Sequence, residues 1–128
     1  MIFRLKKRFR FESSHQLKNH DGKCARLHGH SWTGYFEVSG NELDTKGPKE
    51  NMLIDYGELG AIAKQIEAKY DHYHLNDVLK SDMPTSELVA AAIWQFIEFR
   101  IAEQKNVRLS RVVINETCTS ECVVEESK

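Results

Sequence analysis

Long apolar runs are missing from this chain: no stretch approaches the ~18 consecutive apolar residues of a spanning helix, and no membrane partner is expected. An excess of charge of one sign is missing too. Eighteen Lys+Arg against nineteen Asp+Glu leave a formal net charge of -1, which supplies no global field for a nucleic acid or an acidic membrane surface. Cysteine is scarce and odd in number, with Cys24, Cys118 and Cys122 only, so free thiols in a cytoplasm are expected rather than a disulfide framework. The phosphate-loop, HExxH, GxSxG and CxxC patterns are absent, which leaves mononucleotide hydrolysis, zincin proteolysis, serine esterase chemistry and thioredoxin-like redox without support. No repeat or low-complexity tract appears, and the one poorly hydrophobic loop, Asn41 to Asn51, is too short for a domain linker.

What is present is enough for one packed core. The 128 residues, 41% hydrophobic and 29% charged, read as a single domain over residues 1–128. Residues 2 to 18 alternate with period two, Phe3, Leu5, Phe9, Phe11 and Leu17 on one parity and Arg4, Lys6, Arg8 and Arg10 on the other. That is a strand pattern rather than that of a signal peptide. Residues 30 to 39 repeat it with Trp32, Phe36 and Val38, and the two strands are expected to pair antiparallel. Asp55 to Glu58 has capping-box spacing before Leu59, Ile62, Ala63, Ile66 and Tyr70, so a helix is predicted from about Gly57 to Tyr70. Pro84-Thr85-Ser86-Glu87 opens a second helix with a stripe of Leu88, Val89, Ala92, Ile93, Phe96, Ile97 and Ile101. Val112 to Ile114 and Val123-Val124 predict a closing hairpin. The expectation is an α+β domain, ββααββ: a four-stranded antiparallel sheet with two helices on one face. Its other face, with the basic parity of strand one, is either solvated or turned inward where sheets join edge to edge in an oligomer.

The chemistry gathers in the histidines. His28-Gly29-His30 is spaced i, i+2, and along a strand both side chains point one way. His30 shares the parity of Trp32 and His15 the parity of Phe11, so His15, His28 and His30 are expected to meet at one end of the sheet. Three neutral imidazoles without a nearby carboxylate match a catalytic Zn²⁺ site with a position left for water or substrate. Cys24 in the intervening loop either closes that site as a fourth ligand or acts beside the cation as a thiolate base or nucleophile. Asp71-His72 reads as an oriented proton carrier or as a turn cap beside a surface histidine. Glu116 shares the parity of Val112 and Ile114, yet Val113 of opposite parity leaves its face undecided. An inward carboxylate there would need N–H donors from a ligand. Lys18, Lys23 and Arg26 flank the His/Cys loop and suit either phosphates or solvent.

FESSHQL (Phe11 to Leu17), CARLHGH (Cys24 to His30), LIDYGEL (Leu53 to Leu59), DHYHLND (Asp71 to Asp77), PTSE (Pro84 to Glu87) and ETCTSEC (Glu116 to Cys122) together resemble one family. It is the 6-pyruvoyl- and 6-carboxy-tetrahydropterin synthase group of tunnelling folds. The resemblance implies a homohexamer of two stacked trimers, each closing its sheets into a barrel with active sites between subunits. It implies one Zn²⁺ per subunit on His15, His28 and His30, Cys24 as proton-abstracting thiol, Asp71 and His72 as a pair assisting proton movement, and Glu116 gripping the pterin and joining the relay. Cys24 three residues before the first histidine of HGH is similar to the bacterial queuosine-pathway branch. That implies conversion of 7,8-dihydroneopterin triphosphate to 6-carboxy-5,6,7,8-tetrahydropterin with loss of triphosphate and acetaldehyde. The alternatives are the pyruvoyl-forming reaction, which stops before carbon–carbon cleavage, and a non-catalytic oligomer with a closed His₃Cys zinc site. Gln16 stands where relatives often carry a basic residue, and His74 falls at a variable position and is not assigned to the metal.

Overall fold

The computed structural model describes residues 1–127. Its elements are β1 (Phe3–His15), a 3₁₀ turn (Lys23–Ala25), β2 (His28–Gly40), α1 (Tyr56–Tyr70), β3 (Tyr73–His74), α2 (Leu75–Val78), α3 (Ser86–Ile101), β4 (Arg108–Thr117) and β5 (Ser120–Val124). The α+β order inferred from the periodicities is present. The sheet, however, has five strands in the order β3-β1-β2-β4-β5, and β3 runs parallel to β1. Two residues are too few to leave a period in the sequence, so this edge strand was beyond the reach of pattern reading.

β1 and β2 pair antiparallel over their full lengths, from Phe3 opposite Gly40 to His15 opposite His28. The parity of Phe9 and Phe11 faces the core with Trp32, Phe36 and Val38. Phe11 lies against Trp32 and Tyr70, with ring centroids 6.0 and 5.2 Å apart, and burial pushes the Tyr70 phenol up to about 12. β4 joins β2 with a register shift between Glu37 and Val38. Val112 and Ile114 belong to the core, while Val113, opposite Tyr35 and Val123, is fully buried on the other side of the sheet. The mixed signal of Val112-Val113-Ile114 thus reflects a strand covered on both faces.

α1 and α3 lie on one face of the sheet, α1 against β1 and α3 against β4 and β5. Asp55 caps α1 by accepting from the Gly57 N–H at 2.8 Å, and Thr85 caps α3 by accepting from the Leu88 N–H at 3.2 Å. Caps of this kind contribute about 1 kcal/mol each. α1 buries the five residues its spacing assigns, Leu59, Ile62, Ala63, Ile66 and Tyr70. α3 is rotated from expectation: Ala90 is buried and Leu88 exposed. Its apolar residues run around much more than one side, so contact with the sheet selects the buried face. Arg4, Lys6, Arg8 and Arg10 stay exposed on the sheet's opposite face, where the Lys6 ammonium lies 4.9 Å from the centre of the Tyr35 ring.

Candidate metal centre and active site

Because β1 ends where β2 begins, the antiparallel register sets His15 directly opposite His28 and Ser13 opposite His30. The three rings share the core face, with centroids 4.5 Å (His15–His28), 5.2 Å (His15–His30) and 4.8 Å (His28–His30) apart. Trp32 stands beneath them, edge-on to His15 at 5.2 Å and to His30 at 5.5 Å, and its indole N–H donates to the Ser13 carbonyl at 3.2 Å.

Backbone carbonyls set the ring orientations. His15 Nδ1 lies 2.9 Å from the Pro84 carbonyl oxygen, and His28 Nδ1 lies 2.7 Å from that of Arg26. A carbonyl only accepts, so each Nδ1 carries the proton and each Nε2 presents a lone pair. The Nε2 atom of His15 is buried without a hydrogen-bond partner, and that of His30, equally buried, faces the Glu116 carboxylate, an arrangement that suits atoms placed to ligate a cation. Burial lowers the pKa of both rings, against the opposing effect of Glu116, which favours the neutral, ligating form.

Glu116 answers the question its parity left open, since its carboxylate reaches the same point from β4. Oε1 lies 3.0 Å from His30 Nε2 and 3.7 Å from His15 Nε2. One ligating atom from each of His15, His28, His30 and Glu116 lies within 4.8 Å of the others. The expectation of three histidines without a carboxylate nearby is therefore corrected. The β2–β4 pairing, not visible in local sequence, carries one there. Three neutral nitrogens and one carboxylate oxygen suit a borderline divalent ion such as Zn²⁺. Cys24 is not part of this group. It is a free, half-buried thiol in the 3₁₀ turn of the loop joining β1 to β2.

That loop is anchored at its base. The Leu17 N–H donates to the Cys24 carbonyl at 2.9 Å, and the Gln16 amide donates to the Ala25 carbonyl at 2.9 Å. Asn76, nearly buried, accepts from the Gln16 N–H at 2.9 Å and donates to its carbonyl at 2.7 Å. Asn76 and Pro84 escaped sequence reasoning as positioning residues. Both lie inside the motifs DHYHLND and PTSE, and a polar residue among the apolar positions of a short helix was the available signal for Asn76.

Asp71 and His72 are joined as expected, with His72 Nδ1 2.9 Å from Asp71 Oδ2. The Glu12 N–H donates to Asp71 Oδ1 at 2.8 Å, while the His72 N–H donates to the Glu12 carbonyl at 2.6 Å. This pair of bonds holds His72 at φ 62, a left-handed conformation uncommon outside glycine. The Glu12 N–H, then the His72 ring, hold the Asp71 carboxyl below its ordinary value. The exposed His72 ring lines a groove of about 610 Å³ with His74 and with Glu12, Ser14 and Ser31, whose parity puts their side chains on the sheet face opposite the three rings. Cys24 does not line it.

The family model described as 6-pyruvoyl tetrahydropterin synthase matches residues 4–127. A protein named 6-carboxy-5,6,7,8-tetrahydropterin synthase from Synechocystis sp. is 43% identical over 115 residues, 89% of this chain and 86% of the relative. One of the same name from Haemophilus influenzae is 31% identical over 98% of this chain and 100% of its own. The solved structure of Caenorhabditis elegans 6-pyruvoyl tetrahydropterin synthase superposes with a TM-score of 0.81 at 23% identity, covering 99% of this chain and 97% of that one. At that identity it attests the fold.

Proposed function

The chain belongs to the 6-pyruvoyl tetrahydropterin synthase family, and from that membership we propose that it is a zinc-dependent lyase. Its substrates are 7,8-dihydroneopterin triphosphate and water, which supplies the second carboxyl oxygen when the side-chain carbon–carbon bond breaks, and its products are 6-carboxy-5,6,7,8-tetrahydropterin, triphosphate and acetaldehyde, in 7-deazapurine (queuosine) biosynthesis in the cytoplasm. The observation that carries this reading is the convergence of the buried Nε2 atoms of His15 and His30 with His28 and Glu116 on one point. The relatives that share most of the chain bear the carboxy-synthase name.

His15, His28 and His30 hold the ion. When bound, Zn²⁺ supplies Lewis acidity, polarising oxygens of the substrate side chain and easing loss of neighbouring C–H protons. The pterin lies with its N–H edge toward Glu116, whose carboxylate accepts from it and sets the side chain over the histidines. Cys24 removes a proton from the side chain as thiolate. His72, oriented by Asp71, returns or relays a proton at its ring nitrogen. Cys24 stands outside the groove lined by His72, which supports a homohexamer in which active sites form between subunits, the basic face of each sheet lining a barrel.

The test is incubation of the purified protein with dihydroneopterin triphosphate, with and without added Zn²⁺, with products read by mass spectrometry. Carboxy-tetrahydropterin with acetaldehyde is expected. The pyruvoyl product would reassign the reaction, and no turnover in either condition would remove the reading.

A further inference from the structure

Cys24 lies between His15 and His28 in the chain, yet it is held in a different way from either. His15 has its place in the β1–β2 ladder opposite His28, and its ring has the Pro84 carbonyl. Cys24 lies outside the ladder, in the turn Lys23–Ala25. That turn is fixed where the Cys24 carbonyl accepts from the Leu17 N–H at 2.9 Å and where the Ala25 carbonyl accepts from the Gln16 amide at 2.9 Å. The place of the thiol therefore depends on the backbone of Gln16 and Leu17.

One side chain sets that backbone. Asn76 Oδ1 accepts from the Gln16 N–H at 2.9 Å, and its Nδ2 donates to the Gln16 carbonyl at 2.7 Å. Peptide groups are planar, so the Gln16 N–H belongs to the plane shared with His15 and the Gln16 carbonyl to the plane shared with Leu17. A single amide, with acceptor and donor on one carbon, thus pins two successive planes. The second is the plane whose N–H holds the Cys24 carbonyl. Asn76 is itself rooted: Leu75 beside it is fully buried, and its own carbonyl accepts from the Ser81 N–H at 3.1 Å. The far side of the loop is tied backbone to backbone, the Lys18 N–H donating to the Asp82 carbonyl at 3.0 Å, so the loop stays attached when Asn76 is altered.

We infer that Asn76 is a positioning residue for the lyase reaction and acts through Cys24, holding the peptide plane that seats the thiol's turn while the histidines keep their own supports. This rests on the reading of Cys24 as the proton-abstracting group.

The experiment compares wild type, Asn76→Ala, Cys24→Ala and the double variant, all zinc-loaded. Metal content, steady-state turnover of dihydroneopterin triphosphate and hydrogen exchange by mass spectrometry are read on each. In Asn76→Ala, kcat is expected to fall ~10- to 100-fold through misplacement of the base, with KM and zinc content unchanged. Loss of the clamp should quicken exchange at least ~10-fold in peptides covering residues 16–25 and leave the β4–β5 hairpin as in wild type. In the Cys24→Ala background the same substitution should cost no further kcat, because a residue that acts through a thiol is silent once the thiol is gone.

An additive loss in the double variant would overturn the proposal, as would zinc loss, a loss confined to KM, or faster exchange that extends to the hairpin. Asn76→Asp keeps the shape and the acceptor but faces the Gln16 carbonyl without a donor, so its kcat should fall too. Should Asn76→Ala fail to fold, Asn76→Asp decides by the same criteria. If wild type shows no turnover, the lyase reading falls and exchange decides the rest. Quickening confined to residues 16–25 then leaves Asn76 as the anchor of the Cys24 loop, and any other pattern removes that as well. If wild type turns over and Asn76→Ala matches it, only the role of Asn76 falls.

Discussion

The Nδ1 of His15 donates to the carbonyl of Pro84, 2.9 Å away and 69 residues later in the chain. This bond ties the last residue of the first strand to the segment that begins α3. It makes the orientation of a metal-ligating ring depend on how a helix on the sheet is seated. The centre is therefore assembled by the whole fold rather than by its loop.

Replacing any one of His15, His28 and His30 by Ala is expected to cut the zinc retained after dialysis to a small fraction of one ion per chain. Turnover should fall with it, and chelation of the wild type should do the same until Zn²⁺ is restored. Cys24→Ala is expected to keep its zinc while losing at least ~10²-fold in kcat, the scale of a removed general base. Metal analysis by atomic emission beside kinetics checks both, and loss of zinc from Cys24→Ala would move that thiol into the coordination sphere.

Glu116→Gln keeps the size of the side chain and removes its charge. If the carboxylate grips the pterin edge, kcat/KM falls ~10- to 100-fold with the metal content intact, since a hydrogen bond to a charged group is worth about 1.5–3 kcal/mol. Zinc loss in this variant would show instead that Glu116 is the fourth ligand.

Asp71 gives a prediction with a definite sign in pH. A carboxyl held below its ordinary 3.8 in the folded chain, first by the Glu12 N–H and then by His72, stabilises the fold fully above 3.8. That contribution is lost as the pH falls through the lowered value. The melting temperature of Asp71→Asn is therefore expected to lie below wild type near neutrality, with the two converging under strongly acidic conditions. Parallel curves down to the lowest pH would contradict the assignment.

Trp32 is fully buried and supports the His15 and His30 rings edge-on. Trp32→Ala is expected to destabilise the fold by about 3–5 kcal/mol and to loosen zinc at the same time. Denaturant unfolding with and without metal separates the two effects. Gly34→Ala should be as harmful, because its Cβ would stand 2.2 Å from the Val113 carbonyl oxygen and 3.0 Å from Phe9 Cζ. Near-normal stability of either variant would refute the packing argument.

Strand parity was enough to place His15, His28 and His30 on one face, because in a pleated strand side-chain direction is a property of the residue's index alone. The capped helix starts at Asp55 and Thr85 were legible for a similar reason: a cap is satisfied within a few residues. Glu116 was half legible. Its own strand offered Val112 and Ile114 on one side and Val113 on the other, and only packing on both faces of β4 explains why all three are buried.

Local order along the chain thus decided which elements form and which histidines can converge, since strand period, capping and apolar stripes act over a few residues. Tertiary structure alone decided that a carboxylate from β4 joins them, that the Pro84 carbonyl selects the protonated nitrogen of His15, and that His72 and His74 share one groove with Glu12 and Ser14 of β1. Those outcomes depend on strand register and on contacts across tens of residues, which no short-range pattern encodes.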